Sequence, residues 1–157
     1  MDSYQEIINI LDKNSIKYKV HTHEEIRRVK EAKGKVNFDI DKCFKTLAFE
    51  YNERFIFVSL LAEDKLKYSK LCSKFNIKRS DLKKADSEKL ESEYGYESGG
   101  IAPISISKDI IVIFDEKITI KDIIFCGSGK RNKTIEISAK DIIKLEGVIV
   151  LNVAEKL

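Results

Sequence analysis

The stretch Cys43-Phe44-Lys45-Thr46-Leu47-Ala48-Phe49-Glu50-Tyr51-Asn52-Glu53-Arg54-Phe55-Ile56-Phe57-Val58-Ser59-Leu60-Leu61 decides how the fold is read. Residues 43–50 and Arg54–Leu61 are two apolar runs, rich in aromatic and aliphatic side chains, separated by Asn52-Glu53, which predicts a β-hairpin. Both runs carry apolar residues on both faces, the mark of strands covered on two sides. Alternation along the first strand puts Lys45 on the same face as Leu47, Phe49 and Tyr51. A lysine at the mouth of an apolar face requires solvent or an anionic partner.

Upstream, Ser3 and Glu6 have capping-box spacing, and Tyr4, Ile7, Ile8 and Leu11 form one apolar helical face that ends near Asn14. Residues 16–20 alternate as a short strand, and residues 24–33 form a second helix closed by Gly34. Downstream, Tyr68, Leu71, Cys72 and Phe75 make a helical stripe, and a further helix spans Ser87–Tyr94 with Gly95 just past its end. Residues 110–114, 123–126, 135–137 and 148–153 read as strands; Ser138 and Asp141 open a short helix ended by Gly147. The expected fold is α+β: a single domain over residues 1–157, with one curled, mostly antiparallel mixed sheet or barrel surrounded by helices.

Composition narrows the function. The chain has 157 residues, 43% hydrophobic and 35% charged, so it is neither disordered nor built to span a membrane. The longest apolar runs fall well short of the roughly 20 residues needed to cross a bilayer. No signal peptide opens the sequence, which makes the cytoplasm the expected location. Three cysteines without CxxC spacing argue against a disulfide framework or a zinc ribbon and look structural. A net charge of +3 is too balanced for bulk coating of nucleic acid. Locally, however, residues 65–89 hold nine basic side chains against three acidic ones. Two readings stand there: a solvated helix face, or a docking surface for a phosphate backbone.

Two loops can carry chemistry. Gly99-Gly100-Ile101-Ala102-Pro103 allows positive φ and close approach of backbone to a ligand, with N–H groups able to hold a carbonyl or ribose oxygen. Gly127-Ser128-Gly129-Lys130-Arg131 combines glycines, a hydroxyl and two cations, a composition suited to phosphate. Ordinary turns share both patterns. His21 and His23 share a strand face, but no third ligand cluster accompanies them, so neither a metal nor another cofactor is expected.

Taken in order, these motifs resemble the YbaK/prolyl-tRNA-synthetase-associated domain family, editing domains that hydrolyse misacylated tRNA. The resemblance rests on Phe44-Lys45-Thr46-Leu47, on Gly95-Tyr96 followed by Gly99–Pro103, and on Gly127–Arg131 followed by Ile135-Glu136-Ile137-Ser138. It implies a functional lysine at Lys45, with Thr46 beside it in the substrate site. It implies a catalytic loop of Gly99, Gly100 and Pro103, with Ile101 and Ala102, positioning the terminal adenosine and the aminoacyl carbonyl. It also places Ser128, Gly129, Lys130 and Arg131 near the acceptor end. Relatives acting on cysteinyl-tRNA are thought to use the substrate's own thiol. The sequence departs from the family at Ile104-Ser105-Ile106, where a glycine often follows the proline by two residues, and this bears on the amino-acid pocket.

The resemblance implies a trans-acting deacylase of tRNA for proline carrying cysteine or alanine, with tRNA and prolyl-tRNA synthetase as partners. The competing reading is a non-catalytic aminoacyl-tRNA or synthetase-binding module of the same fold. A general nucleic-acid-binding domain fits less well, because no aromatic-rich basic strand is present.

Overall fold

The structure, a computed structural model, describes residues 2–25 and 39–155. It opens with α1 (Ser3–Lys13), which buries Ile7 and Leu11. Its N-cap is Asp2, whose carboxylate accepts from the Gln5 N–H at 3.3 Å. Ser3, expected as the cap, lies one residue inside, and its hydroxyl donates instead to the Gly95 carbonyl at 2.8 Å. The helix closes through Asn14, with the Ile16 N–H reaching back to the Leu11 carbonyl at 2.9 Å. That closure consumes Ile16, so β1 starts two residues later than expected, at Tyr18–Thr22. The helix expected over residues 24–33 falls outside the described residues beyond Glu25.

The hairpin is present as read. β2 (Phe44–Tyr51) and β3 (Arg54–Leu61) pair antiparallel from Phe44↔Leu61 to Tyr51↔Arg54. Asn52 and Glu53 both have positive φ, 53° and 64°, the geometry of a two-residue turn matching strand twist. The helices α2 (Tyr68–Phe75) and α3 (Ser87–Tyr94) follow, with β4 (Lys83–Lys84) between them. Then come β5 (Ile110–Asp115), β6 (Ile123–Gly127), β7 (Lys133–Ser138), α4 (Ala139–Ile142) and β8 (Ile149–Leu151). Gly147 therefore lies beyond the end of α4, in the turn toward β8.

The α+β class holds, but the strands form two sheets rather than one curled sheet, and they do not close into a barrel. One sheet has the order β4-β2-β3-β5-β8, the other β1-β7-β6. Among the described residues, a parallel bridge between Cys43 and Phe125 joins them. Pairing is mostly antiparallel, as expected, with β3–β5 and β5–β8 parallel. The long excursion through α2 and α3 returns the chain to the same end of the sheet, which a hairpin cannot do.

Two apolar cores result. Phe44, Phe55 and Phe57 on one face of the hairpin pack with Tyr96, Ala102, Ile104 and the three-stranded sheet. Phe49, Ile56, Val58 and Leu60 on the other face pack with Leu71 and Cys72 of α2. Each strand of the hairpin is thus covered on both sides.

Candidate functional site

Alternation on β2 separates Lys45 from Thr46. Lys45 sits on the α2 side and Thr46 on the side of the three-stranded sheet. The Lys45 ammonium donates to the Asp64 carbonyl at 2.6 Å and lines a cleft of about 600 Å³ with Leu47, Lys65, Lys67, Tyr68 and Glu155. Burial lowers the Lys45 pKa from its usual value; the nearby Asp64 charge acts in the opposite direction. The Asp64 carboxylate is itself held by Lys117 at 2.6 Å.

The wall of this cleft is a short antiparallel contact. The Lys67 N–H donates to Val153 and the Glu155 N–H to Lys65, at 2.8 and 2.7 Å, around the Leu66↔Ala154 bridge. Asp115 fixes that segment: fully buried, its carboxylate accepts from the Val153 and Ala154 N–H groups at 3.0 Å and from Lys117 N–H at 3.1 Å. Sequence reading missed Asp64 and Glu155 as neighbours of Lys45, and Asp115 as the anchor of the cleft wall, because only tertiary pairing brings residues 153–155 beside residues 65–67.

The two glycine loops come together. The Gly129 N–H donates to the Gly100 carbonyl at 2.6 Å, and the Glu97 N–H to Gly129 at 2.9 Å. The Glu97 carboxylate accepts from the Arg131 N–H at 3.0 Å. A Cβ on Gly100 would be driven into the Lys130 carbonyl, and one on Gly127 into that of Ile101. Glycine is required at both positions by backbone-on-backbone contact.

This contact changes which groups are available. The Gly100 N–H is used on the Glu97 carbonyl at 2.9 Å. Among the described residues, the N–H groups of Ile101 and Ala102 have no protein acceptor. Ala102 and Pro103 are buried and anchor the loop exit. Tyr96 beneath it is fully buried, edge-on to Phe57, with its hydroxyl donating to the Ile104 carbonyl at 2.8 Å.

Within the basic turn, Ser128 is buried, its hydroxyl donating to the Lys133 carbonyl at 2.7 Å and accepting from Lys130 N–H at 3.2 Å. It shapes the turn. Arg131 faces Glu25 at 3.6 Å and Ser98 at 3.5 Å, and Lys133 reaches Thr22 at 3.1 Å. Lys130 keeps its side chain free of protein partners among the described residues.

Among the described residues, none from either glycine loop lines the Lys45 cleft, and the loops pack on the opposite face of the hairpin; the seam between the sheets lies between the two. From the parallel Cys43↔Phe125 bridge, β2 runs on to Lys45 while β6 runs in the same direction to Gly127, which packs on Ile101. Beside the seam, the Thr46 and Ser59 hydroxyls lie opposite one another on the hairpin, both buried and without a partner among the described residues. His21 and His23 are engaged elsewhere: His21 with Glu136 at 2.9 Å, His23 with Thr134 at 2.8 Å. Among the described residues, no group of three His, Cys, Asp or Glu side chains is arranged to hold a metal. Nor is any described helix long and apolar enough to cross a membrane.

Residues 23–145 match the family described as the aminoacyl-tRNA editing domain. The chain is 24% identical over 92 residues to proline–tRNA ligase 1 of Bacillus cereus, a match that covers 59% of this chain but 16% of that protein. The fold matches the hypothetical protein APE2540 with a TM-score of 0.82 at 18% identity, covering 96% of this chain and 99% of that one. It matches a proposed trans-editing enzyme for prolyl-tRNA synthetase with a TM-score of 0.77 at 18% identity, covering 99% of each chain. It also matches a proposed signal transduction protein of Marinobacter aquaeolei VT8 with a TM-score of 0.72 at 10% identity, covering 97% of this chain and 31% of that one.

Proposed function

The chain belongs to the aminoacyl-tRNA editing domain family, and on that premise we propose that it is a trans-acting deacylase that hydrolyses the ester of mischarged tRNA. The substrates proposed are tRNA for proline carrying cysteine or alanine, with cysteine first, and prolyl-tRNA synthetase is the proposed partner. The cytoplasm is the proposed place of action.

The observation that carries this reading is the state of Lys45. Its ammonium has three N–H donors and gives one to the Asp64 carbonyl, in a cleft where Lys65 and Lys67 outnumber Glu155. Such a group suits a phosphate or ribose oxygen of the 3′-terminal nucleotide, through charge-assisted hydrogen bonding. In this proposal Lys45 anchors the substrate rather than serving as a base.

The aminoacyl ester is already activated, so its hydrolysis needs positioning and stabilisation of the developing oxyanion more than a strong nucleophile. The N–H of Ile101 is the proposed donor to that oxygen, with Gly99, Gly100 and Pro103 setting the loop and Ala102 buried behind it. Water, or the thiol of a cysteinyl substrate, attacks the carbonyl carbon. The bond to the ribose oxygen breaks, and the tRNA leaves with its terminal hydroxyl restored.

The test is a deacylation panel: tRNA for proline carrying cysteine, alanine or proline, and tRNA for cysteine carrying cysteine. Hydrolysis of one mischarged species, lost in a folded Lys45→Ala variant, supports the reading and names the amino acid. Silence across the panel from folded protein overturns it in favour of a non-catalytic binding module.

A further inference from the structure

The fold sorts the cations of residues 65–89 into engaged and unengaged groups. Lys89 is paired with Glu50 at 2.9 Å, and Lys70 donates to Asn152 at 3.0 Å. Lys65, Lys67, Lys74, Lys78, Lys83 and Lys84 are exposed, and none has a side-chain partner among the described residues.

Two of the unengaged lysines, Lys65 and Lys67, share the cleft lining with one aromatic ring. Tyr68 lines the Lys45 cleft, its ring edge-on to Phe49 at 5.8 Å. The Arg79 guanidinium stacks on that ring, 3.9 Å from its centre, and donates to the Leu82 carbonyl at 3.0 Å. Lys84 pairs with Phe49 across β2 and β4, so it emerges on the Lys45 face, whereas Lys83 pairs with Glu50 and emerges on the other. Lys65 and Lys67 form the cleft wall, and Lys74 extends the same charge along α2 from Lys70 at helical spacing. On the other candidate surface, among the described residues, Arg131 and Lys133 are engaged by Glu25 and Thr22, leaving Lys130.

We propose that Lys65, Lys67, Arg79 and Lys84, extended by Lys74, form the surface that holds the phosphate backbone of the tRNA acceptor stem, leading its 3′ end into the Lys45 cleft. This rests on the editing reading for the identity of the RNA. A row of unpaired lysines beside an aromatic-stacked arginine matches a run of phosphates, where affinity comes from counterion release and carries little sequence information.

The experiment measures binding of uncharged tRNA for proline across a salt series, so it does not depend on hydrolysis. A Lys67→Gln/Lys84→Gln variant is compared with Lys130→Gln/Lys133→Gln and with Lys13→Gln/Lys140→Gln, which removes the same charge elsewhere; circular dichroism confirms folding. The expected result is a loss of roughly tenfold in affinity at ~0.1 M salt for the first variant alone, with its log–log salt slope reduced by about two. Wild-type affinity and slope in that variant overturn the proposal. So does an equal or larger loss in either of the other two. If tRNA binding depends on Lys67 and Lys84 while the deacylation panel stays silent, the surface stands and the editing reading falls.

Discussion

The ammonium of Lys45 and the backbone carbonyl of Asp64 are joined at 2.6 Å, while the carboxylate of Asp64 is turned onto Lys117. Lys45 is therefore held by a neutral oxygen and is not neutralised by an ion pair. Substituting it with alanine removes the proposed substrate anchor and leaves no carboxylate without its cation. We expect deacylation to fall by a factor on the order of 10² or more, with unchanged circular dichroism and no drop in thermal midpoint. The absence of a stability loss follows from sign: a lysine whose pKa is lowered by burial opposes folding while protonated. A folded Lys45→Ala enzyme with wild-type turnover removes Lys45 from the site.

Gly100 and Gly147 separate two reasons for glycine. At Gly100 the structure puts a new Cβ into the Lys130 backbone, against which the loop is already bonded. Gly100→Ala is expected to cost ~2–4 kcal/mol, because neither backbone segment can yield cheaply. Gly147 has φ +82° with nothing near its Cβ, so alanine there meets only backbone strain, about 1 kcal/mol. Urea denaturation of the two variants checks the order; equal costs would show that the two glycine loops are not in close contact.

Much of the fold was legible because local rules agreed with tertiary demand. The hairpin, α2 and α3 follow from apolar runs, a two-residue turn and a glycine cap, with Gly95 at φ 77° after Tyr94. What could not be read depends on distant partners. Nothing local in Ile149–Leu151 shows that it pairs parallel with β5, and nothing near Asp64 shows that residues 153–155 will line the cleft beside it. The glycine loops were legible as loops. That Gly100 would spend its N–H on Glu97, leaving those of Ile101 and Ala102, depends on the turn geometry and on packing against Gly129.

Asp115 ties three elements together. It is 1% exposed, and its two oxygens accept from the N–H groups of Val153, Ala154 and Lys117. Asp115→Ala leaves three donors without their acceptor, two of them in the segment beside the cleft. The expected loss is ~3–5 kcal/mol, since buried donors to a charged acceptor are costly to abandon. Asp115→Asn keeps one acceptor oxygen and should lose less. Hydrogen exchange locates the effect: protection at Val153 and Ala154 should fall first, and a uniform loss across both sheets would contradict this anchoring role.

Tyr96 gives a prediction in pH. Burial raises its pKa well above the ordinary 10.0, while its hydroxyl donates to the Ile104 carbonyl. Tyr96→Phe leaves that carbonyl unpaired and should cost ~1–2 kcal/mol at pH 7. In the wild type the neutral phenol is favoured by folding, so its contribution is complete below pH 10.0, where the unfolded chain is also protonated. Above that, the unfolded phenol ionises while the folded one does not, and stability falls by about 1.4 kcal/mol per pH unit from this group. The phenylalanine variant has no such loss. The gap between the two proteins should therefore narrow as pH rises from 9 to 11, measured by urea midpoints at each pH. A constant gap would mean that the Tyr96 hydroxyl reaches solvent and that the loop above it is not closed over the core.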